Sequence, residues 1–200
     1  MTAPVLTTTQ INFHCSKGAS TILQRGMTAR HTGMLLIQQA WGHKAANQRA
    51  CILAKGVNVD PLFKLCSRDL MVIVTNLKAI ERQSWERNDK IGLLAVCKVR
   101  GLPLLLGCDA NSHHTFWDST NVNSRGNDLV ENLITIHLDI LNTANAPTFR
   151  HSVSEEVIDI TLCNGSFIDN VKKWRVSDEP TRSDHSQIEF KLDFTVPTGS

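Results

Sequence analysis

Three polar clusters stand at the ends of apolar, strand-like runs, which is where a rigid scaffold presents reactive groups. The first, Asp109-Ala110-Asn111-Ser112-His113-His114, follows directly on Leu104-Leu105-Leu106. The second is Asp159, set inside Val157-Ile158-Asp159-Ile160-Thr161-Leu162. The third is Ser183-Asp184-His185, just ahead of the last strand-like run. Taken singly, each has a structural explanation. Asp-Ala-Asn after a strand makes a turn or a cap, an Asp within a strand accepts structural hydrogen bonds, and Ser-Asp-His makes a polar loop. Taken together they have the parts that phosphodiester hydrolysis needs. A carboxylate activates water, an amide holds the phosphate, and an imidazole with an orienting carboxylate stabilises the charged phosphorane. Further carboxylates hold a divalent metal.

The elements that must position these groups follow from hydrophobic periodicity. Residues 10–14 read as a strand, and Ala19, Ile22, Leu23 and Met27 share one face of a helix. The continuous apolar run 34–37 reads as a strand buried on both faces, with further strands over 50–54 and 70–77. A helix over 88–99 carries Ile91, Leu94 and Ala95 and stops before Gly101. The strand over 102–106 leads into Gly107-Cys108-Asp109, and a second amphipathic helix over 127–137 turns Leu129, Val130, Leu133 and Ile134 inward. The remainder is strand-rich, at 138–141, 157–162, 171–176 and 187–192. In the last of these Ile188, Phe190 and Leu192 alternate with Gln187, Glu189 and Lys191. Interleaved strands and helices put the chain in the α/β (α+β) class.

Two hundred residues suit one domain with a single core, so residues 1–200 are read as one unit. A hydrophobic content of 42% with 20% charged residues excludes wholesale disorder. The net charge of +2 is too small to drive nucleic-acid binding by itself, so DNA affinity must come from local basic groups or a metal. The cysteines at 15, 51, 66, 97, 108 and 163 have no metal-like spacing and read as buried reduced thiols, which suits an intracellular protein. No signal-peptide pattern opens the sequence, and no apolar run reaches membrane-spanning length, so no membrane association is expected.

The order of the clusters resembles the endonuclease/exonuclease/phosphatase superfamily. It is most similar to the endonuclease domains of insect-type non-LTR retrotransposons. Gly107 to His114 with Trp117, Asn123-Ser124-Arg125-Gly126, Pro147-Thr148-Phe149, Val157 to Leu162, and Trp174 to Pro180 leading into Ser183-Asp184-His185 all resemble that family. The likeness is nearly continuous from Gly101 onward. It is patchier before, at Ile11-Asn12, Leu36-Ile37-Gln38-Gln39, Arg49 to Leu53 and Cys66 to Leu70. The resemblance implies a four-layer αββα sandwich of two packed mixed sheets flanked by helices. It implies that Asp109 activates water, that Asn12 and Asn111 contact the scissile phosphate, and that His185 stabilises the transition state. Asp159 would orient the histidine or support the site, with Asp184 and the position of Gln39 at the metal. Magnesium, with manganese as the alternative, is the implied cofactor and DNA the implied partner. No small-molecule cofactor is expected, and a working retroelement endonuclease would act in the nucleus. The resemblance makes His113 and His114 loop residues near the DNA rather than zinc ligands, and Trp117 a loop anchor.

The sequence departs from that pattern in three places, one of them the stretch after Trp41, which passes through Gly42-His43-Lys44 to Arg49 and is shorter than the family's. The family's Gln-Glu pair is Gln38-Gln39 here, so a metal-binding carboxylate is replaced by a neutral amide. The family's Tyr-bearing strand and proline turn after the 70–77 run are missing or replaced in a chain with no tyrosine. Three functions follow: a metal-dependent DNA-nicking endonuclease, intact or impaired; an inactive relic that still binds DNA; and, less favoured, a phosphatase of the same superfamily.

Overall fold

Alternation of side chains along paired strands builds the framework. The computed structural model describes residues 5–14, 21, 33–38, 103–143 and 146–194, and the backbone of 51–55, 60–61 and 70–74. One sheet is made of β1 (Val5–Asn12), β2 (Gly33–Gln38), β3 (Cys51–Lys55), β11 (Val171–Val176) and β12 (Ile188–Asp193), in the order β11-β12-β1-β2-β3. The second is made of β4 (Asp60–Pro61), β5 (Leu70–Val74), β6 (Leu104–Asp109), β7 (Leu138–Ile140) and β10 (Asp159–Asn164), in the order β4-β5-β6-β10-β7. A short hairpin, β8 (Phe149–His151) with β9 (Ser154–Glu156), stands apart. The first sheet is mixed, with β1 parallel to β2 and antiparallel to β12.

The two sheets pack face to face. Leu6, Met34, Leu36, Ile188, Phe190 and Leu192 of the first meet Leu105 and Cys163 of the second in one buried cluster. The other face of the second sheet, through Leu104, Leu106, Ile160 and Leu162, packs against Trp117 and against Leu133 of α1 (Ser124–Ile136). On the first sheet the opposite face is covered as well, because Thr9, Ile11, Phe13, Leu35 and Ile37 are all buried. The helices read over 19–27 and 88–99 lie outside the described residues, apart from Thr21, which is helical.

Several boundaries differ from the expectations. The strand read over 102–106 runs on through Asp109, because the ladder continues as far as the Asp159↔Asp109 pair. The strand read from 157 begins at Asp159, since the Ile158 carbonyl accepts from the Ala110 amide and the Thr148 hydroxyl accepts from the Ile158 amide. The second helix starts at Ser124, where Asn123 caps it, and Ile134 is 66% exposed rather than inward. Leu133 is the buried residue of that turn, and its neighbour points about 100° away around the helix. The stretch 75–102, where the Tyr-bearing strand and its proline turn read as missing or replaced, lies outside the described residues. Five residues pair directly with β6, from Leu70↔Cys108 to Val74↔Leu104, and β4 pairs on the other side. Cys163 is buried and free, its thiol pushed up to about 12 by burial and by the charge of Asp139.

Candidate active site

The packed sheets bring four polar side chains to one end of the space between them. Along β1 the inward positions are Leu6, Thr8, Gln10 and Asn12, so the apolar interior gives way to polar groups toward the strand's end. Gly107 lies under Gln10, and a Cβ there would sit 2.9 Å from the Gln10 side chain. The missing side chain leaves room for Gln10 Nε2 to donate to the Ile160 carbonyl and for Gln10 Oε1 to accept from Thr161 Oγ1. This inter-sheet contact fixes the height at which Asn12 meets β6. There Asn12 Nδ2 donates to Asp109 Oδ2 at 2.7 Å.

Asp109 and Asp159 are direct register partners on neighbouring antiparallel strands. Two like charges so placed repel, and each is given its own donor. Asp109 has Asn12, and Asp159 Oδ2 lies 2.7 Å from His185 Nδ1. Asp159 and His185 are both nearly fully buried, and Asp159 Oδ1 meets no hydrogen-bond donor among the described residues. Burial alone pulls the His185 pKa down. The hydrogen bond to Asp159 and the charges of Asp159, Asp109 and Asp184 outweigh it, so the imidazole holds its proton above its ordinary 6.5. The backbone around the pair is tied off by Thr148, whose hydroxyl accepts from the Asp159 amide, and by Ser183, whose hydroxyl donates to the Asn12 carbonyl.

A cleft of about 500 Å³ opens over this array, lined by His14, Asp109, Asn111, His113, Phe149 and His185 among others. Asn111 is exposed on its rim with φ 45°, a left-handed conformation that Asn tolerates. Phe149 stands edge-on to His185 with ring centres 5.1 Å apart and bridges to it through the backbone. His113 is held by Glu156 of β9, Nδ1 to Oε2 3.3 Å. The same loop is locked to α1: Asn123 Oδ1 accepts from the amides of Gly126 and His113. A Cβ at Gly126 would lie 2.0 Å from the His113 carbonyl oxygen, so only glycine fits.

Of the residues singled out from the sequence, Asn12, Asp109, Asp159 and His185 come together, with Asn111 beside them. Asn12 is fully buried and engages Asp109 and, through Oδ1, the His14 amide. Asp184 turns outward, half-exposed and 3.8 Å from His14. Gln39 lies outside the described residues. Among the described residues no three His, Cys, Asp or Glu side chains converge to hold a metal ion, so these residues by themselves do not make a metal site. Sequence reasoning gives no role to His14, Thr148, Phe149 or Glu156. For His14 the signal is a strand end two residues past Asn12 and for Glu156 a short polar hairpin, both common loop features, whereas Thr148 and Phe149 lie in the Pro147-Thr148-Phe149 stretch that resembles the family.

The family described as "Endonuclease-reverse transcriptase" matches residues 80–189, more than half of the chain. Among solved structures, the endonuclease domain of TRAS1, a telomere-specific non-LTR retrotransposon, aligns with a TM-score of 0.71 at 22% identity. It covers 94% of this chain and 98% of that one. A 3′-5′ exonuclease, NExo, from Neisseria meningitidis aligns with a TM-score of 0.60 at 13% identity, covering 94% of this chain and 100% of that one. A substituted form of the 3′ phosphatase NExo from Neisseria, bound to product DNA hairpin, gives 0.56 at 14% identity, with 96% and 100% covered. Among curated proteins there is no match. Among the described residues no helix is long and apolar enough to cross a membrane. Nucleases of this superfamily generally use divalent metals. With its two-sheet fold and more than half its length matched, the chain belongs to the endonuclease–reverse transcriptase family of the endonuclease/exonuclease/phosphatase superfamily.

Proposed function

We propose that this endonuclease-type domain nicks DNA by hydrolysing one phosphodiester bond. The observation that carries the reading is the array Asn12–Asp109 beside Asp159–His185 under an open cleft. Asp109, held by Asn12, takes a proton from water as the water oxygen bonds to phosphorus. The phosphorus–O3′ bond breaks, and the 3′ oxygen leaves and is protonated, which is the end a reverse transcriptase extends. His185, oriented by Asp159 through Nδ1, presents its other nitrogen to the phosphate and stabilises the charge that builds on it. Its raised pKa keeps it in the donor form. Asn111, on the cleft rim, steadies the phosphate. Magnesium is the ion this reading expects, with manganese as the alternative, and Asp184 and position 39 are the candidates for holding it. The nucleus is the compartment expected for a retroelement enzyme.

The test is conversion of supercoiled plasmid to nicked circles with magnesium, run beside a gel-shift assay. Nicking by the wild type that is lost in Asp109→Asn and in His185→Gln supports the reading. A folded protein that shifts DNA without nicking it supports a binding-only relic, which the neutral Gln39 favours. Turnover of soluble phosphoesters without plasmid nicking would support a phosphatase instead.

A further inference from the structure

We propose that His14 is a substrate-contacting residue whose imidazole donates a hydrogen bond to a phosphate oxygen of the strand lying in the cleft; this rests on the phosphodiester reading above. Three independent features of the structure converge on it. His14 sits in the left-handed region with φ 45°, a conformation unfavourable for a residue bearing a Cβ, although His visits it more often than most. The strain is actively held: the His14 amide donates to Asn12 Oδ1 at 2.8 Å, and Asn12 is the residue that fixes Asp109. The chain is thus turned sharply at the point where β1 ends, in direct connection with the reacting carboxylate.

Packing does not account for the turn. The His14 side chain is 59% exposed, and the Asp184 carboxylate, 3.8 Å away, is itself 46% exposed. An open ion pair of that kind contributes little to stability. What the turn achieves is placement. The ring lines the cleft with Asp109, Asn111 and His185 and stands edge-on to His185, with centres 6.0 Å apart. Backbone strain that leaves most of the side chain exposed and delivers it into a cleft is the pattern seen at functional sites. An imidazole always carries at least one N–H donor, and a phosphodiester offers only acceptors, so the two are matched in chemistry. Side by side, His14 and His185 offer donors to different oxygens of one phosphate, or to oxygens of adjacent phosphates.

His14→Gly and His14→Asn separate this from a structural role. Glycine removes the strain and the donor, whereas asparagine tolerates the left-handed backbone and keeps a donor. For His14→Gly we expect a thermal midpoint equal to or above that of the wild type. Its affinity for a short fluorescein-labelled duplex should fall about tenfold, the equivalent of one hydrogen bond to a charged group. His14→Asn should recover part of the loss. A lower midpoint in His14→Gly, or unchanged duplex affinity, overturns the proposal. A second readout does not depend on DNA cleavage: the ring resonances of His14 should move when the wild type is titrated with inorganic phosphate. Static His14 signals overturn the contact. A wild type that fails to nick while its His14 signals respond would instead count against the endonuclease reading alone.

Discussion

At His185 two opposing effects meet. Burial favours the neutral ring, and the surrounding carboxylates favour the cation more strongly, so the folded pKa is raised. A group whose pKa is higher in the folded state stabilises the fold fully below its unfolded value, about 6.5. That contribution is lost as the pH rises through the folded value. Unfolding free energy should therefore decline across that window. In Asp159→Asn the His185 titration, followed by NMR, should move to lower pH and the decline should flatten. An unmoved His185 titration would remove Asp159 as its partner. Cutting His185 back to Ala also has a cost to the fold, since it strands a buried carboxylate; about 3–5 kcal/mol is typical of breaking such a pair. At position 39 the prediction concerns charge. A unit pair at ~4 Å and an effective dielectric of ~20 is worth roughly 4 kcal/mol before desolvation. Gln39→Glu should therefore lower the magnesium concentration for half-maximal nicking, and superimposable titrations would take Gln39 out of the site. Asp109, Asp159 and His185 were legible in the sequence through their combination and order, since each alone reads equally well as a turn, a structural acceptor or a polar loop. His14 was not, because its placement depends on a backbone turn that residue types do not report.

The elements around the cleft are joined by few but demanding contacts. Asn123 caps α1 and also holds the His113 amide, so Asn123→Ala should cost about 1 kcal/mol or somewhat more, measured by denaturant unfolding. Gly126→Ala should cost about 1–3 kcal/mol, since the added methyl meets a carbonyl that the backbone holds in place. Because His113 lines the cleft, nicking in both variants should fall further than stability does, and equal losses would detach this loop from the site. The β5 strand pairs on both sides, so its amides next to β6 should exchange as slowly as is expected of those of β10. Fast exchange there would show that the sheet is poorly supported where the Tyr-bearing strand reads as missing. Long strands such as β6 and β12 were legible through their apolar runs and period-two alternation. The β8–β9 hairpin was not, because its three-residue strands, Phe-Arg-His and Ser-Glu-Glu, bury too little to leave a pattern.

Across the whole molecule, a buried polar contact sets one sheet against the other. Gln10 bridges to Ile160 and Thr161, and Trp174 Nε1 also donates to Thr161 Oγ1. A double-mutant cycle on Gln10→Ala and Thr161→Val should give a coupling of about 0.5–3 kcal/mol. Additive losses would show that apolar packing alone sets the sheets. The fold class was legible from the interleaving of patterns, and the order of motifs gave the architecture. The pairing order of the strands was not, because periodicity fixes faces and says nothing of neighbours. That pairing has a further consequence. Asp109 and Asp159 face each other from adjacent strands, and side chains alternate between faces. A slip of β10 by one residue would swing Asp159 to the helix side and take His185's partner with it. Chemistry at this site thus acts as a proofreader of folding: a misaligned molecule is silent, and specific activity counts the fraction of chains assembled in the right alignment.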